Sequence, residues 1–149
     1  MEKLKILFLC TGNACRSQMA EGWAKALKPD VIEAYSAGIE KHGLNLLAVR
    51  VMAEAGVDIS RHASKTVDEL PVHDFDYVVT VCGHAHETCP VFLGGAKKIH
   101  AGFDDPPALA KDAKTEDEAL VHYQRVRDEI RQFVTGLPES LSELGKENR

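Results

Sequence analysis

The feature that most constrains this chain is a short apolar run that ends on a cysteine and leads into a tight connection. Residues Ile6–Leu9 predict a buried strand that ends on Cys10. After a short connection, Ser17 begins a helical pattern that runs to Lys28. Gly12 in the connection permits a tight turn and a close approach of the backbone to a ligand. The sequence therefore predicts a strand, a loop and a helix start around Cys10.

This loop has the properties of an anion-binding site. Its backbone N–H groups converge, and the helix N-terminus adds partial positive charge. Arg16 is suited to bind a tetrahedral oxyanion through two parallel hydrogen bonds. The same positive field is expected to lower the pKa of Cys10 from about 8.5 into the range of roughly 3.5–7.5, which makes a thiolate nucleophile. We predict that Cys10 and Arg16 are catalytic and that the oxyanion is held by Thr11, Gly12, Asn13, Ala14, Cys15, Arg16 and Ser17.

Two other interpretations of this segment compete with an oxyanion-binding loop. A buried structural cysteine beside a surface arginine is disfavoured by the strand before the loop and the helix after it. A nucleotide-binding loop is excluded because no Gly-Lys-Ser/Thr ending follows.

Composition and the termini restrict the class of protein. A chain of 149 residues fits one domain, residues 1–149, with only 138–149 expected to be loosely held. The net charge of −5 and the lack of a Lys/Arg cluster argue against nucleic acid as a partner. Without a membrane-length segment or a signal peptide, we expect a cytoplasmic monomer that makes no membrane contact. Four cysteines in such a reducing compartment are catalytic, metal-bound or buried.

The rest of the chain alternates strand and helix patterns. Strands are predicted at 31–36, closed by Ala37-Gly38, at 77–81, and at 98–101. A helical stripe runs from Leu44 to Ala55 and ends at Gly56. Thr115 and Glu118 predict a capping box for a long helix that ends near Gly136.

This alternation predicts an α/β fold, with a four-stranded parallel sheet flanked by helices on both faces. Ligands bind such sheets beyond the carboxyl ends of the strands. If the strand order is 2-1-3-4, the first and third strands are neighbours about 5 Å apart. Cys10 and Cys82 both follow the carboxyl ends of those strands, so a second thiol is predicted near the first.

A second group of thiols lies between Cys82 and Pro90. On a helix, Cys82 and Cys89 would share a face but would lie roughly 10 Å apart, too far for a disulfide. Bonding them requires the segment to loop or unwind, which Gly83 and Pro90 would ease. Zinc ligation by Cys82, His86 and Cys89 is an alternative, but the sequence offers no Cys-x2-Cys pair and no certain fourth ligand.

The acidic loop Asp104–Pro107 follows the fourth strand at the same edge of the sheet. A carboxyl group there is positioned to protonate a leaving oxygen. Because Asp and Pro also favour turns, the sequence leaves the general acid and the plain turn equally open.

Several of these segments resemble the low-molecular-weight protein tyrosine phosphatase superfamily. The matching segments are Cys10–Ser17, Ser36–Gly38, Gly56–Ser60 and Asp105-Pro106. Cys82, Cys89-Pro90 and Gly102–Pro106 narrow the resemblance to thioredoxin-coupled arsenate reductases built on that fold. The similarity runs from about Lys5 to Phe133, and the paired thiols are its most specific part.

The resemblance implies roles for the loop residues. Cys10 would attack arsenate held by the loop amides and Arg16, Ser17 would stabilise the thiolate, and Asp105 would protonate the departing hydroxyl. No cofactor is implied. Cys15 would act in packing or form a protective disulfide with Cys10.

The resemblance also implies a thiol relay. Cys82 would attack Cys10, expel arsenite and leave a Cys10–Cys82 disulfide. Cys89 would then attack Cys82, and thioredoxin would reduce the Cys82–Cys89 disulfide. A phosphatase, for which these two thiols would be idle, is the alternative within the fold. A thiol-based metal or arsenical sensor is the alternative from another class.

Some members of the resembled family hold a potassium ion near positions that match Asn13, Glu21 and Ser36. Those members have an aspartate at the position that Lys65 occupies in this chain. Our hypothesis is that the Lys65 ammonium replaces the cation near Glu21.

Overall fold

The computed structural model describes residues 3–83 and 95–141. Within them, four parallel strands form one sheet in the order β2-β1-β3-β4, which confirms the predicted fold class. The strands are β1 (Leu4–Cys10), β2 (Ile32–Gly38), β3 (Tyr77–Thr80) and β4 (Lys97–His100). The helices are α1 (Arg16–Leu27), α2 (Leu46–Glu54), α3 (Pro106–Leu109) and α4 (Glu116–Thr135), with a 3-10 turn at Val67–Glu69.

The central strand β1 forms the middle of the core. Residues Ile6–Leu9 are fully buried, as expected for a parallel strand covered on both faces. Cys10 lies opposite Gly38 on β2, and Leu9 lies opposite Thr80 on β3. The chain therefore leaves both β1 and β3 at the same edge of the sheet, where ligands are expected.

Side chains set where the helices begin. Asn45 caps α2 by accepting hydrogen bonds from the N–H groups of Leu47 and Ala48, so the helix begins two residues later than predicted. Thr115 caps α4 and accepts from Glu118 N, as predicted. The other half of the capping box differs, because the Glu118 carboxylate accepts from Lys114 N and not from Thr115 N. None of the helices in the two described ranges is long and apolar enough to cross a membrane.

The strand ends and α3 differ slightly from the prediction. β2 continues through Gly38, because Gly38 N donates to Lys65 O and so extends the pairing. β3 and β4 each end one residue earlier than predicted. The single turn α3 was predicted as a loop, because its two prolines are typical of a turn. Proline is also favoured at the first position of a helix, and α3 begins in that way.

The prediction of a loosely held tail from Pro138 is wrong for its first residues. Leu137 and Leu141 are fully buried in the core. Ser140 N donates to Gly136 O, and Leu141 N donates to Pro138 O, which continues a helical turn. The spacing of four between the two leucines places both on one face of that turn. The chain is therefore packed through Leu141, and residues 142–149 lie outside the described part.

We predict that Leu141→Ala lowers the free energy of unfolding by about 2–5 kcal/mol, because it removes a fully buried side chain. Urea denaturation of the full chain measures the loss. The control is Leu46→Ala, because Leu46 is 79% exposed and its truncation should change stability by less than about 0.5 kcal/mol. Equal midpoints for the two variants would contradict the packing described for residues 137–141.

Candidate active site

The loop after β1 is held from outside through its carbonyl groups. The carbonyls of Cys10, Thr11, Gly12 and Ala14 accept hydrogen bonds of 2.9 to 3.2 Å from backbone N–H groups of residues 39–45. These carbonyls therefore face the 39–45 segment, and the peptide units turn their N–H groups the other way.

The backbone N–H groups of residues 12–17 donate to no residue in the described part of the chain. Those of Arg16 and Ser17 also belong to the first turn of α1, where helix geometry provides no acceptor. A set of unpaired donors at a helix N-terminus is a site for an anion. This arrangement agrees with the oxyanion-binding loop expected from the sequence.

The tight turn of the loop occurs at Asn13 and not at Gly12. Asn13 has φ of +48°, the left-handed conformation that asparagine tolerates better than most residues. Gly12 instead leaves space for the His42 side chain, because a Cβ on it would lie 2.3 Å from His42 Nδ1. Gly38 is required for the same kind of reason, since its Cβ would lie 2.2 Å from Glu40 O.

Arg16 presents its guanidinium to the loop. Its Nη1 donates to Phe103 O at 2.9 Å, and its Nη2 lies 3.5 Å from Asp105 Oδ1. Its Nε is buried and has no hydrogen-bond partner among the described residues. A buried unpaired donor is costly, so an oxyanion that accepts from Nε would be favoured.

Cys10 and Cys82 form a pair at the mouth of the loop. Both residues are about 95% buried, and their thiols share a hydrogen bond. Thr11 Oγ1 lies 3.2 Å from Cys82 Sγ, within hydrogen-bonding distance for sulfur. The structure thus brings together the two thiols that the strand order placed as neighbours.

The expectation that the pKa of Cys10 is lowered is wrong for the unliganded site. The hydrogen bond with Cys82 is the largest influence and raises the pKa of Cys10, and burial raises it further. The positive charge of Arg16 and the backbone N–H of Thr11 act in the opposite direction but are outweighed. Cys10 therefore carries its proton in the resting pair.

Cys15 packs inside the loop. It belongs to the apolar core, and burial, followed by the charge of Asp105, raises its pKa to about 12. A thiol in that state is inert at neutral pH. The packing role therefore describes Cys15 better than the protective disulfide.

Asp105 is the carboxylate that faces the loop. It lines a cavity of about 480 Å³ together with Cys10 and Arg16. Its side chain is 44% exposed and makes no cap hydrogen bond to α3, although its carbonyl accepts from Leu109 N. Asp104 points elsewhere and pairs with Arg125 at 3.0 Å. Asp105 thus begins α3 through its backbone while its carboxylate lines the cavity, and its role as a general acid stays a prediction.

The consecutive residues His42, Gly43, Leu44 and Asn45 line the cavity and were not singled out as site residues from the sequence. The 39–45 segment has neither strand nor helix periodicity, so only the N-cap position of Asn45 could have marked it. The connection that follows α2 contributes His62, whose Nδ1 lies 3.0 Å from Gln18 Oε1.

A cluster of charged residues lies around the buried Glu21 carboxylate. Lys25 and the Ser36 hydroxyl hydrogen-bond to it, and Lys65 Nζ lies 3.9 Å from Glu21 Oε1. Burial lowers the pKa of Lys65, while the charge of Glu21 raises it. The ammonium therefore stands near Glu21, as the hypothesis of a built-in cation requires.

Two predicted features involve residues outside the described part of the chain. Cys89, the second relay thiol, lies outside it, as does His86 of the zinc alternative. Among the described residues, no group of three or more His, Cys, Asp or Glu side chains is placed to hold a metal ion.

A four-stranded parallel sheet with a cysteine, an amide-lined loop and an arginine at its edge defines a class of phosphatase-like proteins. Residues 5–148 match the family described as low molecular weight phosphotyrosine protein phosphatase, and the chain belongs to this family.

Within this class, the chain is similar in sequence to proteins named as arsenate reductases. The chain is 51% identical over 140 residues to a protein from Bacillus licheniformis named arsenate reductase, covering 94% of this chain and 99% of the relative. A crystal structure of arsenate reductase from Archaeoglobus fulgidus has a TM-score of 0.66 at 32% identity, covering 89% and 97% of the two chains. A tyrosine phosphatase from Erwinia amylovora has a TM-score of 0.71 at 18% identity, covering 96% and 94%, a likeness in fold alone.

We predict that Cys82→Ala speeds the alkylation of Cys10 by iodoacetamide at pH 8. The variant removes the largest influence that raises the pKa of Cys10, so the pKa falls and the thiolate fraction rises, by about tenfold for each pKa unit. Mass spectrometry of the alkylated peptide gives the rate. Cys15 in the same peptide is the internal control, because Cys82 is not among the groups that shift its pKa. An unchanged or slower rate at Cys10 would contradict the pairing.

We predict that potassium has no specific effect on this chain, because the Lys65 ammonium occupies the neighbourhood of Glu21. Thermal unfolding and aryl phosphate hydrolysis should be the same in potassium and sodium chloride at equal ionic strength. A potassium-dependent rise in either one would refute the hypothesis. Lys65→Asp, which removes the ammonium and adds a carboxylate, is expected to make the unfolding temperature respond to potassium.

Proposed function

We propose that this protein reduces arsenate to arsenite with Cys10 as nucleophile and Cys82 and Cys89 as a relay. The observation that carries the proposal is the buried Cys82 thiol, which follows the strand beside β1 and lies at the oxyanion loop, 3.2 Å from Thr11 Oγ1. Hydrolysis of a phosphate ester needs one sulfur, whereas the reduction of a bound oxyanion by two electrons needs a second thiol within reach of the first. The reductase name of the relative that is 51% identical supports the same choice.

In the first step, arsenate binds with its oxygens on the loop N–H groups and Arg16. Cys10 Sγ forms a bond to arsenic and one As–O bond breaks. The thiol proton leaves with that oxygen as water, and Asp105 at the cavity wall is placed to pass it on. Arsenic keeps its oxidation state in this step, and the product is a Cys10 thioarsenate.

In the second step, the Cys82 thiol attacks the Cys10 sulfur. An S–S bond forms and the S–As bond breaks, and its electron pair stays on arsenic. Arsenic is thereby reduced from As(V) to As(III), the two thiols are oxidised to a disulfide, and the Cys82 proton goes to an arsenite oxygen. Thr11 Oγ1 lies 3.2 Å from Cys82 Sγ, and a hydrogen bond donated by this hydroxyl would favour attack by Cys82 as a thiolate.

The relay ends on a reductant outside the chain. Cys10 and Cys82 are both buried, so a disulfide between them is poorly accessible to another protein. Cys89 would attack Cys82, release Cys10 and leave a Cys82–Cys89 disulfide for a thioredoxin to reduce. The chain then needs no bound cofactor, because the electrons come from the reductant dithiol.

A weak phosphatase activity is the second candidate, and the geometry of Arg16 and Asp105 favours it. Cys10, Arg16 and Asp105 line one cavity and suffice for hydrolysis of an aryl phosphate. The first chemical step is the same for both oxyanions, so the activity is expected whether or not the relay operates.

The deciding experiment adds arsenate to the fully reduced chain and measures arsenite and disulfides by mass spectrometry. The wild type is expected to release one arsenite per chain and to form the Cys82–Cys89 disulfide. Cys82→Ser should release no arsenite but should still hydrolyse aryl phosphate. Cys89→Ser should release one arsenite and stop as the Cys10–Cys82 disulfide.

The wild type and the two variants distinguish the three candidate functions. A chain that hydrolyses aryl phosphate but forms no disulfide with arsenate is a phosphatase and not a reductase. A chain that binds arsenic through Cys82 without releasing arsenite or hydrolysing phosphate is a sensor. Thioredoxin is tested separately, as the reductant that restores multiple turnovers.

A further inference from the structure

Asn45 joins the segment that holds the oxyanion loop to the core helix α4. Its backbone N–H donates to Ala14 O at 2.9 Å, and its Oδ1 accepts from the N–H groups of Leu47 and Ala48 at the start of α2. An N–H group can only donate, so the amide atom that faces these two groups is the oxygen. Nδ2 is therefore the atom that lies 3.1 Å from the Tyr123 hydroxyl, and it donates to it.

Tyr123 is fixed in the core beside the loop. It lies on α4 among apolar residues and is 3% exposed. Burial raises the pKa of its hydroxyl, the hydrogen bond from Asn45 lowers it, and the charges of Cys15 and Asp105 raise it. The hydroxyl therefore keeps its proton, and its oxygen accepts from Asn45 Nδ2.

Asn45 binds the peptide unit that joins Ala14 to Cys15, just before α1. In a trans peptide the C=O of Ala14 and the N–H of Cys15 point in opposite directions. The bond from Asn45 N to Ala14 O therefore turns the Cys15 N–H away from residues 39–45, and this N–H donates to no residue in the described part of the chain. Because Cys15 is the N-cap residue of α1, its N–H joins those of Arg16 and Ser17 at the helix N-terminus, where an anion is favoured.

The bond to Tyr123 matters because the segment between β2 and α2 has no secondary structure of its own. Its residues 41–43 are exposed. A backbone with few buried contacts is easily displaced. The Asn45 side chain fixes the segment at both α2 and α4, at the point where its backbone N–H binds the loop.

We propose that the hydrogen bond between Asn45 and Tyr123 positions the end of the oxyanion loop and thereby sets the affinity of the loop for a tetrahedral oxyanion. Tyr123 does not line the cavity, so it is a positioning residue that acts through Asn45. The inference rests on the oxyanion-binding step of the proposed function, which reduction and hydrolysis share.

One assay separates the affinity for the anion from the reactivity of the thiol. Iodoacetamide alkylates Cys10, and inorganic phosphate in the loop protects it, so the phosphate concentration that halves the rate measures the affinity. Tyr123→Phe removes only the hydroxyl and should raise that concentration about fivefold, the change that one hydrogen bond gives. The rate without phosphate should stay within about twofold of the wild type, because Tyr123 is not among the groups that shift the pKa of Cys10.

Tyr35→Phe is the matched control. The Tyr35 hydroxyl also bonds to one side chain, Glu33 Oε2 at 2.7 Å, but Tyr35 does not line this cavity, so the half-protecting phosphate concentration should not change. Asn45→Ser covers the case in which Tyr123→Phe does not fold, because serine still caps α2 but is too short to reach Tyr123. It should weaken the protection by a similar factor, and the variant with both changes should be no weaker than Asn45→Ser alone.

Three results would overturn the inference. The first is an equal half-protecting phosphate concentration in Tyr123→Phe and Tyr35→Phe, and the second is a pair of effects that multiply in the double variant. The third is a change in the alkylation rate without phosphate as large as the change in phosphate affinity, because it would indicate a general loosening of the loop. A wild type that phosphate does not protect would instead overturn the oxyanion-binding step of the proposed function, and the inference with it.

Discussion

The site depends on the backbone hydrogen bonds between the oxyanion loop and residues 39–45. The carbonyls of Cys10, Thr11, Gly12 and Ala14 are bound from outside, which turns the N–H groups of the residues that follow them away from the 39–45 segment. The arrangement needs close contact between the two backbones, which Gly38 permits because a Cβ on it would collide with the carbonyl oxygens of Glu40 and Thr11. An anion is therefore met by donors that are already oriented, and little reorganisation is required when it binds.

The parallel register adds the second thiol to this loop. β1 and β3 are paired and end at the same edge of the sheet, so Cys10 and Cys82 emerge side by side although they lie far apart along the chain. Their hydrogen bond and their burial keep the proton on Cys10 in the unliganded site. Arg16, with its Nε unpaired among the described residues, supplies a positive charge that lowers the pKa of Cys10 but is outweighed by these influences.

Much of this arrangement follows from the sequence, because it depends on local patterns and on topology. The apolar run before Cys10 and the strand order predict the sheet, the loop and the neighbourhood of Cys82. The position of the turn at Asn13 was missed because glycine and asparagine both tolerate a left-handed conformation. The reason for a glycine at position 12 was missed because His42, whose side chain would meet a Cβ there, lies thirty positions away along the chain. The direction of the pKa shift of Cys10 depends on one side-chain contact, which no pattern in the sequence reports.

The protonated Cys10 gives the proposed reaction a consistent path for protons. A thiol that brings its own proton to a bound arsenate monoanion produces water without adding charge to the site, so two negative groups never have to meet in the cavity. The same step on phosphate gives a thiophosphate that only water can resolve, because phosphorus does not accept the electron pair. In the proposed reaction the Cys82 thiol would leave the first step unchanged and act only in the second one. One loop would then serve hydrolysis or reduction according to the element it holds.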